Sequence, residues 1–199
     1  PYRVFTPYYK ACLALNKEQN PVADLVRLTA PSPLPSAALA DWQLLPHKPD
    51  WATGFDWAAT PAGAHQHLQF LLQEVLPDYK AARDRPDKRG TSRLSPYLHF
   101  GQISPRTIWQ TVQRAMQEQR PGVVHGGEAY LRELIWREFC MHLLYHQPHM
   151  PETPLQPNFS RFPWRTDAAA LRAWQKGATG YPIIDAGMRQ LWQTGWMHN

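Results

Sequence analysis

Cysteine is scarce in this sequence. The chain carries two, Cys12 and Cys140, too few to assemble a metal cluster and ill-suited to a stapled secreted scaffold. A reducing, cytoplasmic setting is therefore expected. Long apolar runs are missing too: nothing approaches the ~18 consecutive apolar residues of a membrane-spanning helix. The opening residues PYRVFTPYYK hold no apolar stretch of the signal-peptide kind. Neither GxGxxG nor a P-loop pattern occurs, which argues against a Rossmann or Walker nucleotide site, and no nucleophile elbow or Ser/His/Asp grouping is recognisable. His142 and His146 have the spacing of a metal pair, but no third ligand follows suitably, so no metal is expected.

What is present is more informative. The 199 residues suffice for a domain with a real core, and the net charge of +5 suits a polyanionic partner as well as a merely soluble protein. Nine tryptophans are many for this length, and so large a ring is normally buried or stacked. A Trp-rich helical core accounts for some of them; the others point to the handling of planar ligands.

Residues 30–62 read as an irregular, Pro-rich linker onto which Trp42, Trp51 and Trp57 are expected to fasten, holding it to a surface. Beyond it the periodicity is helical. Thr60-Pro61 caps a helix that should run to Pro77, and Ser104-Pro105 opens another that ends before Pro121-Gly122. A loop through Gly126-Gly127 is expected to lead into a long helix ending near Pro148. Thr166 or Asp167 caps the next, with Gly177 beyond its end, and Pro182 starts a last helix closed by Gly195. No alternating strand pattern competes, so the fold class is all-α. The first residues read as extended. The stop at GWMHN, where another helix would begin, makes the chain look like an excerpt of something longer.

Two stretches could carry chemistry. In the first, Gly90-Thr91-Ser92-Arg93 combines backbone amides, two hydroxyls and a guanidinium. That set suits a phosphate or pyrophosphate; it also suits an ordinary capped turn, since Ser95-Pro96 is a good helix start. The second is YLRELIWREF, residues 130–139, in which Glu133, Trp136, Arg137 and Cys140 share one helical face. A solvated ion pair is one reading of that face. An aromatic plate that stacks on a base while its neighbours bond the base edge is the other.

Taken together, RGTSRLSPYLHFGQISPR, YLRELIWREF and WQKGATGYPIIDAGMRQLWQTGWMHN resemble the DNA photolyase and cryptochrome family, densely over residues 60–199. Within it they are most similar to the bacterial class I cyclobutane pyrimidine dimer photolyases. The resemblance implies residues 1–62 as the end of an antenna domain plus linker, and 63–199 as the first part of a helical FAD domain. It implies flavin-binding roles for Tyr79, Thr91, Ser92, Arg93, Leu94 and Ser95, and a lesion pocket lined by Glu133, Trp136 and Arg137. Arg83 falls on a contact to damaged DNA, and Asn199 on the start of a second lesion-contacting segment. Trp164 falls on the outermost tryptophan of the chain that feeds electrons to the flavin. The implied activity is light-driven repair of pyrimidine dimers in DNA by a monomeric protein holding FAD and, in the antenna domain, a folate or deazaflavin chromophore. A cryptochrome photoreceptor and a 6-4 photolyase are the rivals. Tyr130 stands where some relatives carry Trp.

Overall fold

The computed structural model describes residues 2–15, 35–45 and 48–198. Among these the chain is helical and has no strand. It forms two units. One comprises the N-terminal residues and Ala58–Arg165; the other comprises the linker stretch ending at Trp57 and the residues from Thr166 on.

In the first unit the spine is a 24-residue helix, Val123–His146 (here α6). Before it in the chain come α1 (Phe5–Leu15), α2 (Pro61–Phe70), the short α3 (Tyr79–Ala82) and α4 (Ser95–His99), and α5 (Pro105–Gln117). The expected caps at Thr60 and Ser104 form: each side-chain oxygen accepts a backbone N–H, from Gly63 at 3.1 Å and from Arg106 at 3.2 Å.

Three expectations fail here, each for a local reason. The opening residues are helical from Phe5, because Pro7 sits in the first turn, where a missing N–H costs nothing. Pro77 does not end its helix: the chain widens into a π turn at Leu71–Val75, tightens into a 3-10 turn at Leu76–Asp78, and resumes as α3. Gly126 and Gly127 lie inside α6 rather than in a loop. A Cβ on Gly126 would strike the Leu76 carbonyl, and one on Gly127 the Met116 side chain. These glycines are what let the α2–α3 segment and α5 approach the spine closely. The core follows from that approach: Leu71, Leu76, Leu94, Tyr97, Ile108, Val112 and Val123 are fully buried.

The second unit is built on α7 (Ala168–Gln175) and α8 (Pro182–Thr194). Asp167 is the N-cap, accepting from the amides of Ala169 and Ala170. Gly177 and Gly195 follow the two helices with left-handed backbones, φ 61° and 70°. Between them Asp185 is buried and accepts from the Thr179 hydroxyl and amide and from the Gly180 amide. Those bonds hold its carboxyl below the usual range. Among the described residues, Trp57 is fastened, its indole N–H donating to the Thr194 carbonyl at 2.6 Å. Trp42 and Trp51 are 60% and 55% exposed, contrary to expectation; Trp51 packs edge-on against Phe55 instead.

Candidate functional site

Glu133, Trp136 and Arg137 stand on one face of α6. From α3's C-terminal end, Arg83 reaches across and forms a direct ion pair with the Glu133 carboxylate. Glu133 raises the Arg83 pKa further above its ordinary value. Below the guanidinium lies the Tyr79 ring, 5.8 Å from Cζ. Burial lifts the Tyr79 phenol to about 12, with Arg83 opposing the rise and Glu133 adding to it. Three residues read separately in the sequence are thus one contiguous group.

The group continues inward. Tyr79 meets Tyr130 edge to face, with ring centroids 5.2 Å apart. The Tyr130 hydroxyl donates to Ser92 Oγ at 3.1 Å. That oxygen also accepts the Leu94 amide at 3.3 Å, and the Ser92 carbonyl accepts from His67 Nδ1 at 3.2 Å. Burial drives the Tyr130 phenol well above its ordinary pKa, against the Ser92 hydrogen bond. A chain of contacts therefore links the Glu133 face to the turn carrying Thr91–Ser95. In the sequence Tyr130 stands out only as a variant position, and its connecting role depends on the geometry of three segments.

The turn itself is built to be rigid. Arg93 adopts a left-handed backbone, φ 52°, uncommon for a residue with a Cβ and typical of positions that the surroundings over-determine. Gly90 fits against the Ala82 carbonyl, where a Cβ would collide. Ser92 and Leu94 are buried, Thr91 and Arg93 half-buried, and Ser95 exposed. Anchored on buried Ser92 and Leu94, the turn leaves the Thr91 and Ser95 hydroxyls and the Arg93 guanidinium less buried, and this donor set fits a phosphate-bearing cofactor.

Trp136 is 38% exposed, and its ring lies flat on that of Phe5 from α1, with centroids 3.6 Å apart and planes 5° from parallel. Phe5 was missed because the opening residues read as extended; the stripe Phe5, Tyr8, Tyr9 and Cys12 was the available helical signal. Arg137 is half-buried. Trp164 is 69% exposed on the loop after a 3-10 turn at Pro157–Arg161; its indole N–H donates to the Phe159 carbonyl and its ring leans on Phe162. Asn199 lies outside the described residues. His142 accepts the Tyr2 amide N–H at 3.2 Å.

Comparison with known proteins agrees with this architecture. A family profile described as the FAD binding domain of DNA photolyase matches residues 130–199. A deoxyribodipyrimidine photo-lyase of Agrobacterium fabrum is 42% identical over all of this chain and 42% of its own length. Cryptochrome-2 of Arabidopsis thaliana is 32% identical over all of this chain and 34% of its own length. A solved structure titled as a bacterial class III photolyase from Agrobacterium tumefaciens superposes with a TM-score of 0.93 at 42% identity, covering all of this chain and 41% of that one. The chain thus spans about two fifths of the photo-lyase it matches. By sequence along its whole length and by fold, it belongs to the DNA photolyase and cryptochrome family.

Proposed function

We propose that the full-length protein bearing this chain repairs cyclobutane pyrimidine dimers in DNA with light, and that this segment supplies one wall of the lesion pocket and part of the FAD site. The observation that carries the reading is the joined face of Arg83, Glu133 and Trp136, connected through Tyr79 and Tyr130 to the Thr91–Ser95 turn. FAD held by this segment together with the rest of the domain would, when bound, supply the light-driven one-electron chemistry that dimer opening requires.

This chain's residues bind and orient. Trp136 stacks on the extruded lesion, and Glu133 accepts a hydrogen bond from its base edge. Arg83 and Arg137 lie beside them as cations for the DNA, while Asn199 begins a second contact segment. A dimer pairs poorly, so extruding it costs less than extruding normal bases; photolyases are among the standard base-flipping examples. Tyr79, Thr91, Arg93 and Ser95 hold the flavin, on a turn that Ser92 and Leu94 anchor in the core. Trp164 is the surface end of the route for flavin photoreduction. Residues 1–62 connect to a preceding antenna domain with a folate or deazaflavin chromophore, and 63–199 begin the catalytic domain of a monomeric, cytoplasmic enzyme. Among the described residues no helix is long and apolar enough to cross a membrane. Residue-level likeness points to class I and the Agrobacterium structure is titled class III; the lesion face does not depend on that choice.

The test is light-dependent repair of thymine-dimer DNA by the full-length protein, beside the binding of Trp136→Ala to damaged and undamaged duplex. Loss of one stacked base should weaken lesion binding about tenfold to a hundredfold. Undamaged duplex should be held as before, since phosphate contacts govern it. A flavin-loaded protein with no repair and no preference for lesions would instead be a cryptochrome, the reading favoured by the Arabidopsis relative.

A further inference from the structure

We infer that Phe5 is a positioning residue for the lesion plate: by stacking on one face of Trp136, it fixes the indole plane and leaves only the opposite face for a base. The inference rests on the lesion-pocket reading of Trp136. Three observations carry it. The two rings are nearly parallel at 3.6 Å, so nothing can intercalate between them. Phe5 is 5% exposed whereas Trp136 is 38% exposed, so the pair has an inner, fixed member and an outer, presented one. Phe5 is itself held from several sides: edge-on by Phe139 at 5.8 Å, by Tyr9 at 5.6 Å, and by the Arg132 guanidinium 5.4 Å from the ring.

An exposed indole on a helix surface moves among its staggered rotamers unless something packs against it; here Phe139 meets the ring edge-on at 5.8 Å and Phe5 covers its face. A plate that must meet an extruded base loses affinity if it first has to be ordered. Phe5 removes that cost in advance, and it does so from a different helix, α1, so the orientation of Trp136 depends on the docking of α1 against α6. Those two helices do pack together. The Arg132 cation on Phe5 adds electrostatic attraction to that ring from a third side chain.

The experiment compares Phe5→Leu, which keeps an apolar side chain and removes the plate, with Phe5→Tyr, which keeps the plate, in the full-length protein. Lesion affinity, affinity for undamaged duplex, melting temperature and the near-ultraviolet dichroism of the stacked pair are measured for each. Phe5→Leu should lose the paired-ring dichroism and bind dimer-containing DNA about three- to tenfold more weakly, the range expected for one aromatic pair, with undamaged duplex unchanged. Phe5→Tyr should retain both. Equal lesion affinity in Phe5→Leu and wild type would overturn the inference, as would parallel loss of damaged and undamaged DNA in a variant that merely melts early. Trp136→Ala separates the two levels: if it too leaves lesion binding intact, the pocket itself is misplaced; if it alone loses binding, only the role of Phe5 is wrong.

Discussion

Glu133 is already engaged by Arg83 before any ligand arrives, and that shapes what its carboxylate can do. A carboxylate offers about four lone-pair sites, so one ion pair fixes the group in place and still leaves acceptor capacity for a base edge. Tyr130 has the complementary position, a buried hydroxyl whose donor goes to Ser92. Tyr130→Phe should cost about 0.5–1.5 kcal/mol of stability in denaturant unfolding and lower the flavin content of the purified full-length protein, because the Thr91–Ser95 turn loses a support. Retained flavin content would mean that the turn stands without it. Trp164 lies at the other extreme of burial. Trp164→Phe should leave the melting temperature nearly unchanged and slow light-driven flavin reduction, while repair by chemically reduced enzyme continues. Equal loss of both activities would make its role structural.

At the scale of elements, helix ends were legible and helix crossings were not. Thr60, Ser104, Asp167, Gly177 and Gly195 act within a few residues of themselves, so capping chemistry reveals them in one dimension. Gly126 and Gly127 acquire their meaning from Leu76 and Met116, far away in sequence; read alone, a Gly-Gly pair is a loop signal, and the close approach that keeps it helical is invisible. The same holds for the site. Its residue types on α6 could be read from spacing, whereas the Arg83 ion pair, the Tyr79–Tyr130 contact and the Phe5 stack join segments that no periodicity connects. Gly126→Ala tests the crossing. Its new methyl would meet backbone rather than a flexible side-chain end, so the α2–α3 segment must move. A loss of about 1–3 kcal/mol is expected, together with reduced flavin retention, since Tyr79 lies against the same glycine, its Cβ 3.5 Å from the position of the added carbon. A neutral effect on unfolding would show that the crossing has slack.

For the whole molecule, the raised phenols of the first unit and the lowered carboxylates, Asp87 in the first unit and Asp185 in the second, should respond to opposite ends of the pH scale. In the first, Tyr8 and Tyr79 are raised to about 12 and Tyr130 is raised as well, burial being the largest cause in each. Phenols with folded values above their unfolded ~10 contribute stability that is complete below pH ~10 and drains away as pH rises toward the folded values. In the second unit Asp185 is lowered by its bonds to Thr179 and Gly180. Its contribution is present above the ordinary carboxylate range and is lost as pH falls through the depressed value. Hydrogen exchange resolved by segment should show α3 and α6 loosening first in alkali and the Thr179–Asp185 turn first in acid. Loosening of α3, α6 and that turn together at both extremes would contradict this assignment.

The wide turn at Leu71–Val75 and the tight turn at Leu76–Asp78 have a consequence as a pair. One under-rotates the chain and the other over-rotates it, so their errors oppose, and Leu68, Leu71, Val75, Leu76, Tyr79 and Ala82 are buried along the segment. The segment behaves like a vernier, in which two mismatched scales are set against each other ahead of Tyr79. Losing or gaining a single residue between 71 and 78 would break that setting. It would swing Tyr79 about 100° around the axis, carrying the ring off the edge of Tyr130 and the guanidinium of Arg83 off Glu133.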